Sequence, residues 1–522
     1  MLLWLLGIVV VLASELTMIL SVTGPHPRNF NPYLSTGPGP NYAAAGFIYE
    51  TLYYVNNYTG DLVPWLATNY KWSEDFKTLT LEIRQNVKWS DGTPFSVDDV
   101  VFTFEMLKKF PALDVTGVWR AGLTTVEKVD NKTVKFVLSD VNTLFLYNLF
   151  GVYIVPKHIW EKIEDPSKFA NEEPVGTGAY LLESFTPQVF VLRKNPNYWQ
   201  AEKIKVERIR VPAFSGNESA QLAVANGEID WAGINYPRIE KIPNPDIKFW
   251  FVGGNPVFVF FNLEREPFND PRFRKAIAYA IDTDQLIKIA MTNYAVKINP
   301  VGIKDGYSYL IDEKLKSKWW SYNPQEVAKI LEQIGYRKGK DGIYERDGKK
   351  LSYEIIVPAG WTDWIAVCEL ISQQLKKIGV EFKTTPVDFG QYLDMIRNKN
   401  YDVALSWANY GANPYIFYDN FMNSSNAYRG SNRGGWIDKE TDELLAKIKL
   451  TDDLETRKVI MSRLQEIILD NVPAVPLFYN PVWFIYSEKN FTGWPNENNP
   501  FVEPRTTGMD KIYIIMRLTP KK

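Results

Sequence analysis

Cysteine and histidine are nearly missing from this chain of 522 residues, which has a single cysteine, Cys368, and two histidines, His26 and His158. A lone cysteine excludes an intrachain disulfide, and two histidines leave little with which to build a zinc site or a His-based catalytic triad. An excess of either charge is missing as well: 59 basic residues against 61 acidic ones leave a net charge of -2. No electrostatic field is therefore on offer for capturing nucleic acid or an anionic membrane. The apolar run at residues 2–13 would span only about 18 Å as a helix, against a bilayer core of about 30 Å, and is too short to anchor the chain. With Val11 and Ala13 small enough for a cleavage site, residues 1–13 are expected to be an export signal removed near Ala13 or Ser14. The alternative is a buried N-terminal strand. No cysteine follows the run, so a lipid anchor is not expected.

Aromatic residues are abundant, at 14% of the chain with 17 Trp, 29 Tyr and 29 Phe. That is more tryptophan than a core of this size needs, so part of it is expected to face a ligand. The length exceeds one hydrophobic core and implies two or three lobes. Residues 16–22 read as a first strand, 46–56 as a helix, and 72–89 as a hairpin turning at 74–77. Ser96 is placed to cap a helix over 97–110 with Asp98 and Asp99 in its first turn, which accounts for both aspartates without catalysis. A second hairpin is expected over 126–138. Gly176 and Gly178 lack the spacing and the following helix of a phosphate loop and are read as a tight crossing between lobes.

Beyond residue 200 strands and helices alternate: strands at 205–212, 229–233 and 257–262, a helix at 216–226, and helices started by Asp270, Asp282 and Asn323. A strand at 351–357 leads through Trp361 into a helix at 363–378, on which Trp364, Cys368, Ile371 and Leu375 form one stripe, so Cys368 is read as a core residue. Helices at 439–449 and 454–470, strand-like runs at 474–479 and 482–486, and a last strand at 511–517 complete the reading. The pattern is α/β without a repeat period.

The stretch 401–415, YDVALSWANYGANPY, opens from a strand into a loop carrying Trp407, Asn409, Tyr410 and Asn413. Flat apolar rings beside uncharged amides at a strand end suit a ligand with hydroxyls and an apolar face.

Four blocks, residues 46–56, WSEDFKTLTLEIRQNVKWSDGTPFSVDDVVFTFE, PVGTGAYLLESF with LRKNPNYW, and PFNDPRFRKAIAYAID, together resemble the family 5 extracellular solute-binding proteins, the oligopeptide and oligosaccharide receptors of ABC importers. The resemblance runs from about residue 16 to near the C-terminus. It implies an α/β, two-lobed periplasmic binding protein fold with an extra inserted subdomain, a three-domain, class II-like arrangement. One lobe would hold 14–46, 176–266 and 480–522, with 47–175 inserted, and the other would be 267–479. It also implies an exported monomer with no cofactor, a small-molecule ligand in the inter-lobe cleft, and permease subunits of an ABC transporter as partners.

In the oligopeptide receptors of this family the loop after the equivalent strand reads W-x-x-D, and its aspartate pairs with the peptide amine. Here residues 407–410 read W-A-N-Y, and Asn409 is taken to stand at the acidic position. An amide cannot neutralise a buried ammonium, but it can donate to and accept from hydroxyls. An oligosaccharide of the β-glucan, mannan or xylan type is therefore the expected ligand, with an oligopeptide as the alternative and glycoside hydrolysis as a third reading that needs two facing carboxylates. The expected ligand contacts are Trp361, Trp407, Asn409, Tyr410, Trp231, Asn235, Asn255, Asn31, Asn29, Tyr42, Trp364, Asn413 and Trp436.

Overall fold

The computed structural model describes residues 14–34 and 39–521, and the expected export signal at 1–13 lies outside the described residues. The chain is organised by three sheets. The first has seven strands in the spatial order Ile247–Phe249, Ile485–Ser487, Trp231–Ala232, Glu15–Ile19, Arg208–Pro212, Val189–Lys194 and Tyr180–Thr186. The second has six, in the order Val296–Lys297, Ala474–Val482, Val252–Phe261, Val403–Trp407, Ser352–Pro358 and Glu381–Val387. A four-stranded antiparallel sheet, Ala67–Trp72, Thr78–Ile83, Thr133–Leu138 and Leu123–Lys128, forms the part inserted into the first lobe.

Strand Val252–Phe261 pairs with Ala474–Val482 and Val403–Trp407. The chain has thus entered the second sheet by residue 252, earlier than a boundary at 266/267 allows. The run VFVFF is buried on both faces because a central strand is covered on both sides.

Local chemistry sets the helix starts. Ser96 and Asp99 form a capping box at the head of Val97–Lys109, and Asp98 pairs with Lys128 at 2.8 Å, so both aspartates are spent structurally. Asp270, Asp282 and Asn323 each accept a backbone N–H at the start of the helix they precede. Cys368 is fully buried on the inward stripe of Thr362–Ile378.

Two expectations fail. The helix expected over 46–56 is replaced by short turns up to Ile48 and a strand, Tyr53–Val55, paired with Leu62–Pro64. Gly46 takes a left-handed φ of 98°, and a Cβ there would lie 2.4 Å from the Gly508 carbonyl oxygen, which stops a helix from running through. The strand expected over 511–517 is the helix Asp510–Ile515. Its isoleucines and tyrosine favour a strand intrinsically, but Ile512, Ile514 and Ile515 bury in the first-lobe core, and packing outweighs a preference of order 1 kcal/mol.

One carboxyl in this core is unusual. Glu50 is fully buried and accepts from Trp65 Nε1 at 2.5 Å, Tyr198 Oη at 2.9 Å and Trp199 Nε1 at 3.3 Å. Burial, partly offset by these donors, pushes its pKa up to about 7. A carboxyl raised on folding stabilises fully below its unfolded pKa, and that contribution is lost as pH climbs through the folded value. Glu50→Gln cannot titrate. Urea unfolding at pH 4.5, 6 and 7.5 should therefore show the stability difference moving in the variant's favour by up to about 3 kcal/mol across that range. A difference that stays constant with pH would show that Glu50 does not titrate there.

Candidate functional site

The two lobes meet along a seam between residues 214–217 and 233–236 of the first and 360–364 of the second. Gly216 and Gly360 approach so closely that a Cβ on Gly216 would lie 3.4 Å from the Gly360 Cα. The Asn217 N–H donates to the Gly360 carbonyl at 3.3 Å, and Asn217 Nδ2 donates to Asp363 Oδ1 at 3.3 Å and Thr362 Oγ1 at 3.4 Å. Asp363 is buried, and desolvation raises its pKa to about 6.

On the second lobe, strand Ser352–Pro358 and strand Val403–Trp407 run parallel in one sheet and deliver Trp361 and Trp407 to the same edge. Trp361 sits just ahead of helix Thr362–Ile378, half-buried, with its ring 5.1 Å from Trp364, 5.6 Å from Phe389 and 6.1 Å from Trp407. It also packs against the first-lobe cluster that includes Ile19, Val22 and Ile234. The result is an aromatic wall that reaches across the seam.

Arg433 is buried and covers one face of Trp407, its guanidinium carbon 4.2 Å from the ring centroid, while its Nε donates to the Trp407 carbonyl at 3.2 Å. Desolvation lowers its pKa. The cation holds the ring rigid and leaves fewer of its surfaces for a ligand.

Asn235, in the loop after Trp231–Ala232, is only 3% exposed, yet neither its Nδ2 nor its Oδ1 has a hydrogen-bond partner. Its neighbours Ile234 and Tyr236 belong to the cluster on which Trp361 packs. Buried amides are almost always paired. Asn409 is exposed, and its backbone N–H donates to Ser431 Oγ at 2.7 Å. Tyr42 is half-buried on the short helix Pro40–Ala43.

The remaining expected contacts have structural partners. Trp231 is fully buried, packed 5.8 Å from Trp494 and 5.9 Å from Phe484, with its indole Nε1 left without a hydrogen-bond partner. Asn31 spends its amide on the Pro166 and Phe169 carbonyls and on the Tyr33 N–H, and Asn29 accepts the Asn31 N–H at 3.1 Å. Both tie down the loop. Asn255 accepts the Tyr410 N–H at 3.2 Å, holding strand ends together. Asn413 caps helix Pro414–Met422 by accepting from the Ile416 N–H. Trp364 is buried and donates to Asn480 Oδ1 at 3.1 Å. Trp436 docks on its own loop and on Thr441 Oγ1 at 3.3 Å.

Counted from Trp407, the fourth residue of a W-x-x-D pattern is Tyr410 and not, as expected, Asn409. The Tyr410 ring is buried, stacked on Phe417 at 5.1 Å, and its hydroxyl accepts the Lys304 N–H at 3.0 Å. Lys304 Nζ lies 4.7 Å from the centre of the same ring and donates to the Gly253 carbonyl at 3.1 Å. The chain's own ammonium thus occupies this ground.

The same loop runs on into a cavity of about 290 Å³ lined by Tyr54, Tyr147, Gly411, Ala412, Arg505 and Asp510, among others. None of the thirteen expected residues lines it. Arg505 and Asp510 lie in a segment whose role no local pattern announces; only the return of the C-terminal segment to the inserted part and the second-lobe loop brings them there.

A family model described as bacterial extracellular solute-binding proteins, family 5 middle, matches residues 61–429. The dipeptide-binding protein of Escherichia coli (strain K12) is 25% identical over 512 residues, covering 88% of each chain. The oligopeptide-binding protein OppA of Bacillus subtilis (strain 168) is 23% identical over 470 residues, covering 82% of this chain and 81% of that one. Among solved structures, a periplasmic oligopeptide-binding protein of a Thermotoga maritima oligopeptide ABC transporter, crystallised with mannohexaose bound, superposes with a TM-score of 0.91 at 30% identity, covering 98% of this chain and 99% of that one.

Proposed function

Because the chain belongs to family 5 of the bacterial extracellular solute-binding proteins, its task is solute capture for an ABC importer, and we propose that the solute is a neutral oligosaccharide held between the two lobes on the extracytoplasmic side of the membrane. The observation that carries this reading is Asn235, a buried amide with an unspent donor and an unspent acceptor beside the seam where Trp361 spans both lobes. A sugar hydroxyl can satisfy either atom, because it both donates and accepts. The C–H face of a pyranose would lie on Trp361 and on whatever part of Trp407 Arg433 leaves uncovered. The Thermotoga relative solved with mannohexaose supports the same ligand class.

An oligopeptide is the second reading, favoured by the names of the curated relatives. Against it stands the exchange at Tyr410. Where the peptide receptors of the family hold an amine with an aspartate, this chain has a phenol with Lys304 Nζ over its ring. A second ammonium brought there would meet a like charge with no carboxylate to neutralise it, which is costly in a desolvated site.

Titration of the purified protein with manno-, cello- and xylo-oligosaccharides should quench or shift tryptophan fluorescence and raise the melting temperature through binding linkage. Di- to pentapeptides should leave the melting curve in place. Tight binding of peptides with every oligosaccharide inert would overturn the sugar reading. Product analysis after the same incubation separates a receptor from a glycoside hydrolase, since a receptor returns the sugar intact.

A further inference from the structure

The cavity beyond the aromatic wall is made by three parts of the chain that are remote in sequence. Tyr54 and Tyr147 come from the inserted part, Gly411 and Ala412 from the second-lobe loop, and Arg505 and Asp510 from the returning C-terminal segment. Its volume of about 290 Å³ lies at the lower end of ligand pockets, which is room for one end of a chain ligand and not for its length. The loop that carries Trp407 also carries Gly411. The four residue steps between them span at most about 14 Å, so a ligand lying on the wall can reach the cavity within a few sugar rings.

Arg505 and Asp510 in this cavity each already have a partner within the protein. Arg505 Nη2 is paired with Glu503 Oε1 at 2.8 Å, and Glu503 is 6% exposed. Asp510 is buried, and its Oδ1 accepts from Tyr54 Oη at 2.6 Å. Arg505 Nε is buried with no partner, and Arg505 lines the cavity. A carboxylate terminus would find the Arg505 charge already matched by Glu503, and an ammonium would find in Asp510 a carboxyl whose pKa burial pushes up to about 7. A neutral ring would find a fixed donor, a carboxyl acceptor and tyrosine faces.

We propose that this cavity is the end subsite of the ligand cleft and takes the terminal ring of an oligosaccharide, with Arg505 and Asp510 on its wall bonding ring hydroxyls. The assignment rests on the oligosaccharide reading and adds a fixed end to it. The protein counts rings, because a ligand must reach from Trp361 to the cavity to gain the last set of contacts.

The test is a length series. Wild-type protein titrated calorimetrically with manno-oligosaccharides from two to six rings should gain affinity with length until the cavity is filled, and then level off. Ala412→Trp fills the cavity from the second-lobe side, and Tyr147→Trp narrows it from the inserted part. Each should lower the affinity for the longest ligands about 10- to 100-fold, to that of a chain one ring shorter, and leave the disaccharide unchanged. Having two variants on opposite walls guards against one that fails to fold, which circular dichroism without sugar would reveal. If both folded variants bind every length as the wild type does, or lose all lengths equally, the end subsite is wrong while the sugar reading stands. If the wild type binds no oligosaccharide of any length, the sugar reading fails and the subsite falls with it.

Discussion

Trp361→Ala should weaken oligosaccharide binding by about 70-fold while the protein remains folded. The ring is half-buried at the head of helix Thr362–Ile378 and touches both the second-lobe core and the first-lobe cluster. If a bound pyranose covers about 100 Å² of it, the loss at about 25 cal/mol/Å² is about 2.5 kcal/mol, which is the stated factor. The ring also packs on Trp364 and Phe389, so the ligand-free melting temperature should fall modestly. It lies outside the buried stripe of its helix, however, and the helix start does not use its side chain as a cap. Calorimetric titration with mannohexaose checks the affinity. Trp231→Phe is the control, since Trp231 is packed in the first-lobe core and should leave the affinity within a factor of about two. Unchanged affinity in Trp361→Ala would remove this ring from the site.

The largest effect on stability is expected at Gly176. A Cβ there would lie 1.9 Å from the carbonyl oxygen of Ile48 and 2.6 Å from its carbonyl carbon. Both are backbone atoms and cannot swing aside. The crossing is fastened on both sides: the Ser90 N–H donates to the Gly176 carbonyl at 2.9 Å, and the Gly178 N–H donates to the Ile48 carbonyl at 2.8 Å. Gly176→Ala must therefore push two chain segments apart where the inserted part leaves the first lobe, at a cost of about 3 kcal/mol or more. Gly306→Ala, where a Cβ meets nothing within 4 Å, should change stability by less than about 0.5 kcal/mol. Urea unfolding followed by both fluorescence and circular dichroism suits a chain of this size, because the two probes need not report one transition. Equal stability of the two variants would mean that the crossing can open without cost.

Elements that depend only on their own residues are legible in the sequence. The helix Val97–Lys109 carries its capping box in the letters S-V-D-D, and Lys439–Lys449 begins after a capping Asp438. The pair Gly176 and Gly178 is readable as a crossing, although which carbonyls it meets is not. Misreadings fall where a distant partner decides. The run 511–517 looks like a strand and coils into a helix because it packs into the first-lobe core. Among site residues, Trp361 and Trp407 meet because their strands lie in one sheet, a pairing that local sequence only suggests. Asn31, Asn255 and Asn413 look like Asn235 in the sequence, and all three turn out to hold backbone.

The stretch 401–415 shows the division. Its sequence alone determined a strand that opens into an aromatic, amide-rich loop with no acidic residue from Trp407 to Tyr415, because alternation and residue chemistry are local properties. Only the tertiary structure decided how each side chain is used: Tyr410 turns inward beneath Lys304, Asn413 caps a helix, Trp407 lies under Arg433, and Gly411 and Ala412 wall a cavity. The reason is that hydrogen-bond satisfaction is settled between segments. Lys304, Arg433 and Arg505 come from distant parts of the chain, and whether an amide or a ring is free for a ligand depends on whether such a neighbour has already claimed it.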